Sequence, residues 1–228
     1  MFVFKTILAL IKLRFIYILL ILTSCTTQNT FLKKAKKSNI SIEDFIVLEA
    51  ENTNSNKGKW QVVEESNSNY LKDASQKSYL EFMGNKPITG KPNSPLEYKF
   101  TAPKSGKFKL MLMTSKRLEG VRSDWCNDAF VKLNGDFKSA SSLSTEDLKK
   151  NIKFLQDGND EAPELKWHWA STAEKERHTY YQIVYNLKEK EEYTLTISGR
   201  SQRFSVDYIV LFNVDKISEE QAKSIFKL

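Results

Sequence analysis

Short segments in which apolar and polar residues alternate occupy most of the chain from residue 45 onward. Segment 96–100 reads Leu-Glu-Tyr-Lys-Phe, a pattern that buries one face of a strand and exposes the other. Turn-forming pairs such as Ser105-Gly106 and Asn134-Gly135 follow or precede such segments. The strand-like segments are 45–51, 79–82, 96–100, 107–113, 128–133, 180–187, 192–198 and 205–212. Because no rhythm of alternating strands and long helices is present, the sequence predicts an all-β fold, an antiparallel β-sandwich of the jelly-roll type.

Two short helices are predicted as additions to this sandwich. Ser144 stands at a helix N-cap position, and Leu148, Ile152 and Leu155 would then lie on one face of the helix. This helix belongs to an insertion that spans residues 143–163. Ser218 begins a second capping pattern, Ser-Glu-Glu-Gln, which predicts a short C-terminal helix or tail over 215–228.

The first 25 residues combine positive charge, an apolar run and a cysteine. Lys5, Lys12 and Arg14 precede the uninterrupted apolar run 15–22, which is the order found in secretory signals. A spanning helix of about 20 apolar residues would place two of these charges inside the bilayer, which is costly. The run ends in Leu-Thr-Ser-Cys at 22–25, which resembles the lipobox of bacterial lipoproteins. The resemblance implies a signal peptide over 1–24 and a lipid on Cys25.

An ordinary signal peptide or an uncleaved anchor would instead make Cys25 incidental. Under the lipoprotein interpretation, the protein is expected in the cell envelope, attached to the membrane through the lipid on Cys25. Thr26 rather than an aspartate follows the cysteine, which favours the outer membrane over retention at the inner membrane.

Charge and composition divide the remaining chain into a linker and one domain. The formal net charge is +7 at pH 7, but three positive charges lie in 1–24, and Lys and Glu are interspersed elsewhere. This mixture indicates a solvated surface and argues against nucleic acid as a partner. Residues 25–41 are polar and lysine-rich, which predicts a flexible tether, and 42–214 suffice for one β-sandwich domain. We expect a monomer.

Few residues in the sequence indicate catalysis. Cys126 would be the single cysteine of the domain, so we expect no disulfide and no cysteine zinc site, but burial as a small apolar residue. The two histidines, His168 and His178, lie in no Gly-x-Ser-x-Gly or His-Glu-x-x-His pattern. The protein is therefore predicted not to be an enzyme, with a glycosidase that uses paired carboxylates as the alternative.

Three segments resemble the carbohydrate-binding modules of families 6 and 35, which are galactose-binding-like β-sandwiches. They are Leu-Glu-Ala-Glu at 48–51, the stretch 125–133 with its Asn-Asp pair, and the closing strands over 195–211 with an internal aspartate. The resemblance runs from about residue 45 to residue 213. It implies a non-catalytic lipoprotein that binds a poly- or oligosaccharide. The alternatives are a small glycoside hydrolase or polysaccharide lyase, or a structural or adhesion lipoprotein without sugar binding.

Two carboxylates on the first predicted strand could form part of a cation-binding site. Glu49 and Glu51 lie two residues apart, so both side chains point to the same face of a strand. Adjacent carboxylates repel each other unless a cation or a proton lies between them. In the modules that the chain resembles, a structural calcium joins the first strand to the last, which implies a calcium site of Glu49, Glu51 and Asp207. The alternative is that these carboxylates are exposed or salt-bridged.

Candidate sugar-binding residues lie near predicted loops and strand ends. Sugars present C–H faces to aromatic rings and hydroxyl groups to polar side chains. The resemblance implies that loops at one end of the sandwich form the site. The candidate residues are Trp125, Trp167, Trp169, Arg122, Asp124, Asn127, His168 and Arg200. Trp60 is expected in the core. In the alternative, at least one of Trp167 and Trp169 also belongs to the core, because alternate residues on a strand face opposite ways.

Overall fold

The computed structural model describes residues 26–158 and 161–226, so the predicted signal peptide and Cys25 lie outside the described residues. The fold is all-β, as the sequence predicts, with 44% of residues in strands and 12% in helices. The strands are β1 (Phe45–Glu49), β2 (Trp60–Glu64), β3 (Ser78–Phe82), β4 (Asn93–Thr101), β5 (Gly106–Lys116), β6 (Asp128–Asn134), β7 (Lys138–Ser139), β8 (Ile152–Gln156), β9 (His168–Glu176), β10 (Thr179–Gln182), β11 (Val184–Leu187), β12 (Glu192–Gly199) and β13 (Phe204–Asn213).

The strands form one antiparallel sheet that folds over to give a sandwich. Its order is β2-β3-β13-β5-β9-β8-β6-β12-β4, with β1 also paired to β13 and β11 to β5. The two ends of this order meet, because the Trp60 indole N–H donates to the Ser94 carbonyl at 2.9 Å. The Lys59 amide donates to the Ser94 hydroxyl at the same distance. The sheet is therefore nearly closed around its core.

Burial along the strands follows the predicted alternation. In β4, Leu96, Tyr98 and Phe100 are buried while the residues between them are exposed. Trp60 is 3% exposed, which confirms its assignment to the core, and Cys126 is a buried free cysteine as expected. Strand β13 is buried along its whole length, because one face lies on the main core and the other lies under a second apolar layer.

That second layer is built from both ends of the described chain. The helices are α1 (Thr26–Lys37), α2 (Thr145–Leu148) and α3 (Glu219–Ile225), and two single-turn 3-10 helices span Ile42–Asp44 and Ser75–Lys77. The predicted cap of α3 is confirmed: the Ser218 hydroxyl accepts the Gln221 amide at 3.2 Å, and the Gln221 side chain accepts the Ser218 amide at 2.9 Å.

Two predictions about helices are wrong. Residues 26–37 form α1 rather than a flexible tether, because Phe31 packs on the apolar layer and Ala35, one turn later, is fully buried. Within the insertion, α2 ends at Leu148, and Ile152 belongs to β8 instead of the same helix face. Strand β8 pairs with both β6 and β9, so these ladders override the local helical spacing. Within the described ranges, no helix is both long enough and apolar enough to span a membrane.

Gly199 permits the two faces of the sandwich to approach. A Cβ atom at this position would lie 2.2 Å from two carbons of the Phe82 ring, and Phe82 is fully buried. We expect Gly199→Ala to lower the free energy of unfolding by about 1–3 kcal/mol, the usual cost of overpacking. Denaturant unfolding measures this cost, and Phe82→Leu in the same chain should recover part of it. An unfolding midpoint equal to that of the unmodified chain would contradict this packing.

Candidate functional site

A groove on the flank of the sandwich gathers three of the predicted sugar-binding residues. Trp167, His168 and Trp169 line it at the start of β9. Its volume is about 540 Å³. The other lining residues come from β5, α3, the segment before β9 and the loop that follows β2: Leu71, Lys72, Asp73, Met113, Leu165, Lys166, Lys223 and Ser224.

Contacts with neighbouring residues fix the orientation of the two groove tryptophans. The Trp167 indole N–H donates to the Lys72 carbonyl at 2.9 Å, and its ring lies edge-on to Tyr79 at 5.1 Å between centroids. Trp169 lies edge-on to Tyr208 at 5.9 Å. Both tryptophans are half-buried against the apolar layer, because residues two apart on a strand share a face. The expectation that one of them is a core residue is therefore met only in part, since neither is fully buried.

Polar residues line the groove together with Trp167 and Trp169. The polar residues of the lining are Lys72, Asp73, Lys166, His168, Lys223 and Ser224. Lys223 is oriented by Glu219 at 2.7 Å and by Asp157 at 3.3 Å. Ammonium, carboxylate and hydroxyl groups supply the donors and acceptors that a hydroxylated ligand requires. The groove can therefore bind a ligand with one apolar face and a polar rim.

The other candidates lie outside this groove. Arg122 and Asp124 form a bidentate pair, with both N–O distances 2.9 Å, on the loop between β5 and β6. Trp125 is half-buried on the same loop, and its buried indole nitrogen has no hydrogen-bond partner. Asn127 is only 3% exposed. These four residues do not belong to the lining of the groove.

Arg200 is engaged in a structural ion pair. Its guanidinium donates to the buried Asp128 carboxylate at 2.6 Å, and the Ser201 hydroxyl donates to the same carboxylate. Lys153 adds a second cation at 3.4 Å from Asp128. Arg200 also borders a charged cleft with Lys153 and Glu174, away from the tryptophans.

The three predicted metal ligands do come together at the pairing of β1 with β13. The Ala50 amide donates to the Asp207 carbonyl at 2.9 Å, which places Glu49 beside Asp207. The Ser75 hydroxyl donates to Glu49 at 2.9 Å, and its amide donates to both Asp207 oxygens at 2.9 and 3.1 Å. The Ser78 hydroxyl donates to Glu51 at 2.8 Å. The second side-chain oxygens of Glu49 and Glu51 are buried without a hydrogen-bond partner.

Burial makes the charged forms of these carboxyl groups unfavourable. It raises the pKa of Glu49 to about 7, and repulsion from Glu51 adds to the effect. Burial also raises the pKa of Glu51, and it raises the pKa of Asp207 well above the usual range. In the described part of the chain, no group of three or more His, Cys, Asp or Glu side chains is arranged to hold a metal ion. The cluster therefore has the chemistry of a cation site, but its three carboxylates do not form a complete cage.

Several residues of both sites carry no sequence signal. Ser75 and Ser78 reach the carboxylates from a 3-10 helix and from the start of β3. Lys72 and Asp73 reach the groove from the same long connection. Isolated serines and lysines in loops are common on any surface, so only the closed fold shows that these ones face the sites.

Comparison with known proteins gives a distant set of solved structures. No protein-family model matches the chain, and no curated protein matches it. A family 35 carbohydrate-binding module from Clostridium thermocellum is 15% identical, with a TM-score of 0.40 over 74% of this chain and 98% of that one. The C-terminal CBM6 of a marine laminarinase from Zobellia galactanivorans is 12% identical, with a TM-score of 0.41 over 74% and 99%.

A third similar structure is the GH26-CBM35 β-(1,4)-mannanase of Podospora anserina. It is 8% identical, with a TM-score of 0.44 over 75% of this chain. The matched region is 28% of the mannanase, so the chain spans little more than a quarter of that enzyme. Identities and TM-scores are low for all three structures.

Proposed function

We propose that this chain is a non-catalytic glycan-binding lipoprotein of the cell envelope, and that it binds a poly- or oligosaccharide. The observation that carries the proposal is the groove that Trp167 and Trp169 line together with Lys72, Asp73 and Lys223. A sugar ring would lie against an indole face while its hydroxyl groups bond to Lys72, Asp73 or Lys223. The sequence resemblance to sugar-binding β-sandwich modules supports the same conclusion.

The content of the groove favours binding over hydrolysis. Glycosidases of the common types need two carboxyl groups that flank the scissile bond. Among the described residues that line the groove, Asp73 is the only carboxylic acid. The described lining therefore does not hold two carboxyl groups that could flank a scissile bond.

We propose further that calcium binds at the carboxylate cluster. Glu49 and Glu51 each present a buried oxygen without a hydrogen-bond partner, and such oxygens suit a hard cation. Asp207 would contribute charge, since both of its oxygens already accept the Ser75 amide. Backbone carbonyl oxygens would supply further ligands. A bound calcium would hold β1 and β13 together and would neutralise the repulsion among the carboxylates.

The envelope location rests on the first residues of the sequence. The lipobox-like ending at Cys25 supports removal of 1–24 and lipid attachment, with the outer membrane as destination. Mass spectrometry of the membrane-extracted protein tests this part directly. A mass equal to residues 25–228 plus lipid supports the anchor, and an unmodified Cys25 refutes it.

Affinity gel electrophoresis tests glycan binding. The purified protein should migrate more slowly in gels that contain one or more plant or algal polysaccharides than in gels without them. A soluble protein without sugar affinity serves as the mobility reference. Incubation with the retarding polysaccharide should release no shorter products, whereas released products would favour the glycosidase or lyase alternative. Unchanged mobility across a broad polysaccharide panel would favour the structural or adhesion alternative.

A further inference from the structure

Helix α1 is fixed to the domain along one face. The Phe31 ring stacks on Phe226 at 4.6 Å and meets Phe45 edge-on at 5.3 Å between centroids. Ala35, one turn later, is fully buried. Because these contacts set the direction of the helix, α1 presents its opposite face to the surroundings in a defined orientation.

That opposite face is rich in lysine. At about 100° per residue, Lys33 lies on the side of α1 away from Phe31 and Ala35, and Lys36 and Lys37 flank it. All three lysines are exposed. The segment 26–41 contains no aspartate or glutamate. The outer face of the second half of α1 therefore carries three positive charges and no negative one.

The position of α1 in the chain brings this face close to a membrane. Under the proposed lipid anchor, the helix begins at the residue that follows the lipidated Cys25. An α-helix rises about 1.5 Å per residue, so Lys37 lies within about 18 Å of the anchor along the chain. A flexible tether would let the domain move away from the bilayer, whereas a docked helix holds it beside the lipid headgroups.

We propose that the lysine face of α1 is a docking surface for an anionic lipid bilayer, on which the helix lies flat and orients the sandwich. The proposal rests on the proposed lipid anchor at Cys25. Lys33, Lys36 and Lys37 bind the phosphate-bearing headgroups, because clustered lysines beside a membrane are attracted to anionic lipid. Ile42, which is 54% exposed at the end of this surface, would contact the headgroup layer.

Lysine footprinting of the full chain tests this docking. The protein is reconstituted in vesicles of phosphatidylcholine, alone or with about 30% phosphatidylglycerol, and reacted with an amine-acetylating reagent before mass spectrometry. Lys33, Lys36 and Lys37 should react at least about threefold more slowly on the anionic vesicles, and about 0.5 M NaCl should remove the difference. The exposed Lys91, Lys99 and Lys138 are internal references whose reaction rates should not change.

If none of the six lysines reacts at a different rate on anionic vesicles than on neutral ones, the docking proposal is overturned. This holds even where mass spectrometry finds the lipid on Cys25. A second measurement covers the case in which that lipid is absent. Residues 25–228 with Cys25→Ser should float with anionic vesicles more than with neutral ones. Lys33→Gln, Lys36→Gln and Lys37→Gln together should abolish this difference, whereas Lys91→Gln, Lys99→Gln and Lys138→Gln together should preserve it. Equal flotation of the two triple variants would also overturn the proposal, and neither result depends on glycan binding.

Discussion

Replacement of Trp167 or Trp169 by alanine is expected to weaken glycan binding by about thirtyfold, which corresponds to about 2 kcal/mol of binding free energy. Each change removes an indole that lines the groove and that would stack on a sugar ring. Isothermal titration with the polysaccharide that retards the protein in affinity gels measures the loss.

Matched variants separate lost binding from lost folding. Trp125→Ala makes the same chemical change on the loop between β5 and β6, outside the groove, and should leave the affinity within about twofold. Trp169→Phe keeps an aromatic ring against Tyr208 and should retain more affinity than Trp169→Ala. Melting temperatures of all variants report whether the fold survives. Normal binding by both groove variants, or a loss confined to Trp125→Ala, would place the site elsewhere.

Removal of calcium is expected to lower the melting temperature at pH 8 by about 5–10 °C. Calcium at 100 times its dissociation constant adds about 2.7 kcal/mol to the stability of the folded state. A domain of this size shifts by roughly 2–4 °C for each kcal/mol. Differential scanning calorimetry in EDTA, followed by addition of excess calcium or of magnesium, measures the effect. Magnesium should restore less stability, because it requires a smaller and more regular ligand shell.

The pH dependence in EDTA provides a second test of the same cluster. A carboxyl group whose pKa is raised in the folded state stabilises the fold at low pH, and this contribution is lost as the pH rises through the folded-state pKa. For Glu49 that pKa is about 7. As the pH rises from 6 to 8, ionisation of Glu49 alone should lower the free energy of unfolding by about 1 kcal/mol. The raised pKa values of Glu51 and Asp207 act in the same direction.

Calcium should suppress that loss, because it pairs with the ionised carboxylates. Glu49→Gln with Glu51→Gln should remove both the calcium effect and most of the pH effect. Glu191→Gln with Glu192→Gln is the matched control, since both residues are exposed at the start of β12, and it should preserve the two effects. If neither EDTA nor added calcium changes the melting temperature, the proposal of a bound calcium is refuted. The carboxyl groups would then be protonated in the folded protein.

Local sequence pattern predicted most of the strands and one helix end, but it missed β2, β7, β8 and β9. Alternation in β4 predicted which side chains are buried, because a strand with one solvated face must place its apolar residues on the other. The Ser218 cap predicted the start of α3, because a cap involves only neighbouring residues. The same reasoning failed at Ile152, where pairing with two adjacent strands outweighed helical spacing.

The sequence also indicated that Glu49 and Asp207 would lie close together. It did not indicate which residues donate hydrogen bonds to them. Glu49 and Asp207 lie on strands that pair, which agrees with the order of motifs along the chain. Ser75 and Ser78, whose hydrogen bonds orient the carboxylates, carry no sequence signal. Their role depends on the course of a long connection, which is set by contacts distant in sequence.

By itself the sequence determined the all-β class, the burial of Trp60 and Cys126, and the candidate carboxylates, because periodicity and residue chemistry are local properties. Only the tertiary structure decided that Trp167 and Trp169 share a groove with Lys72 and Lys223, since these residues come from separate elements. It also decided that residues 26–37 form a docked helix. Phe31 gains its partners, Phe45 and Phe226, only when the two ends of the domain meet over β13.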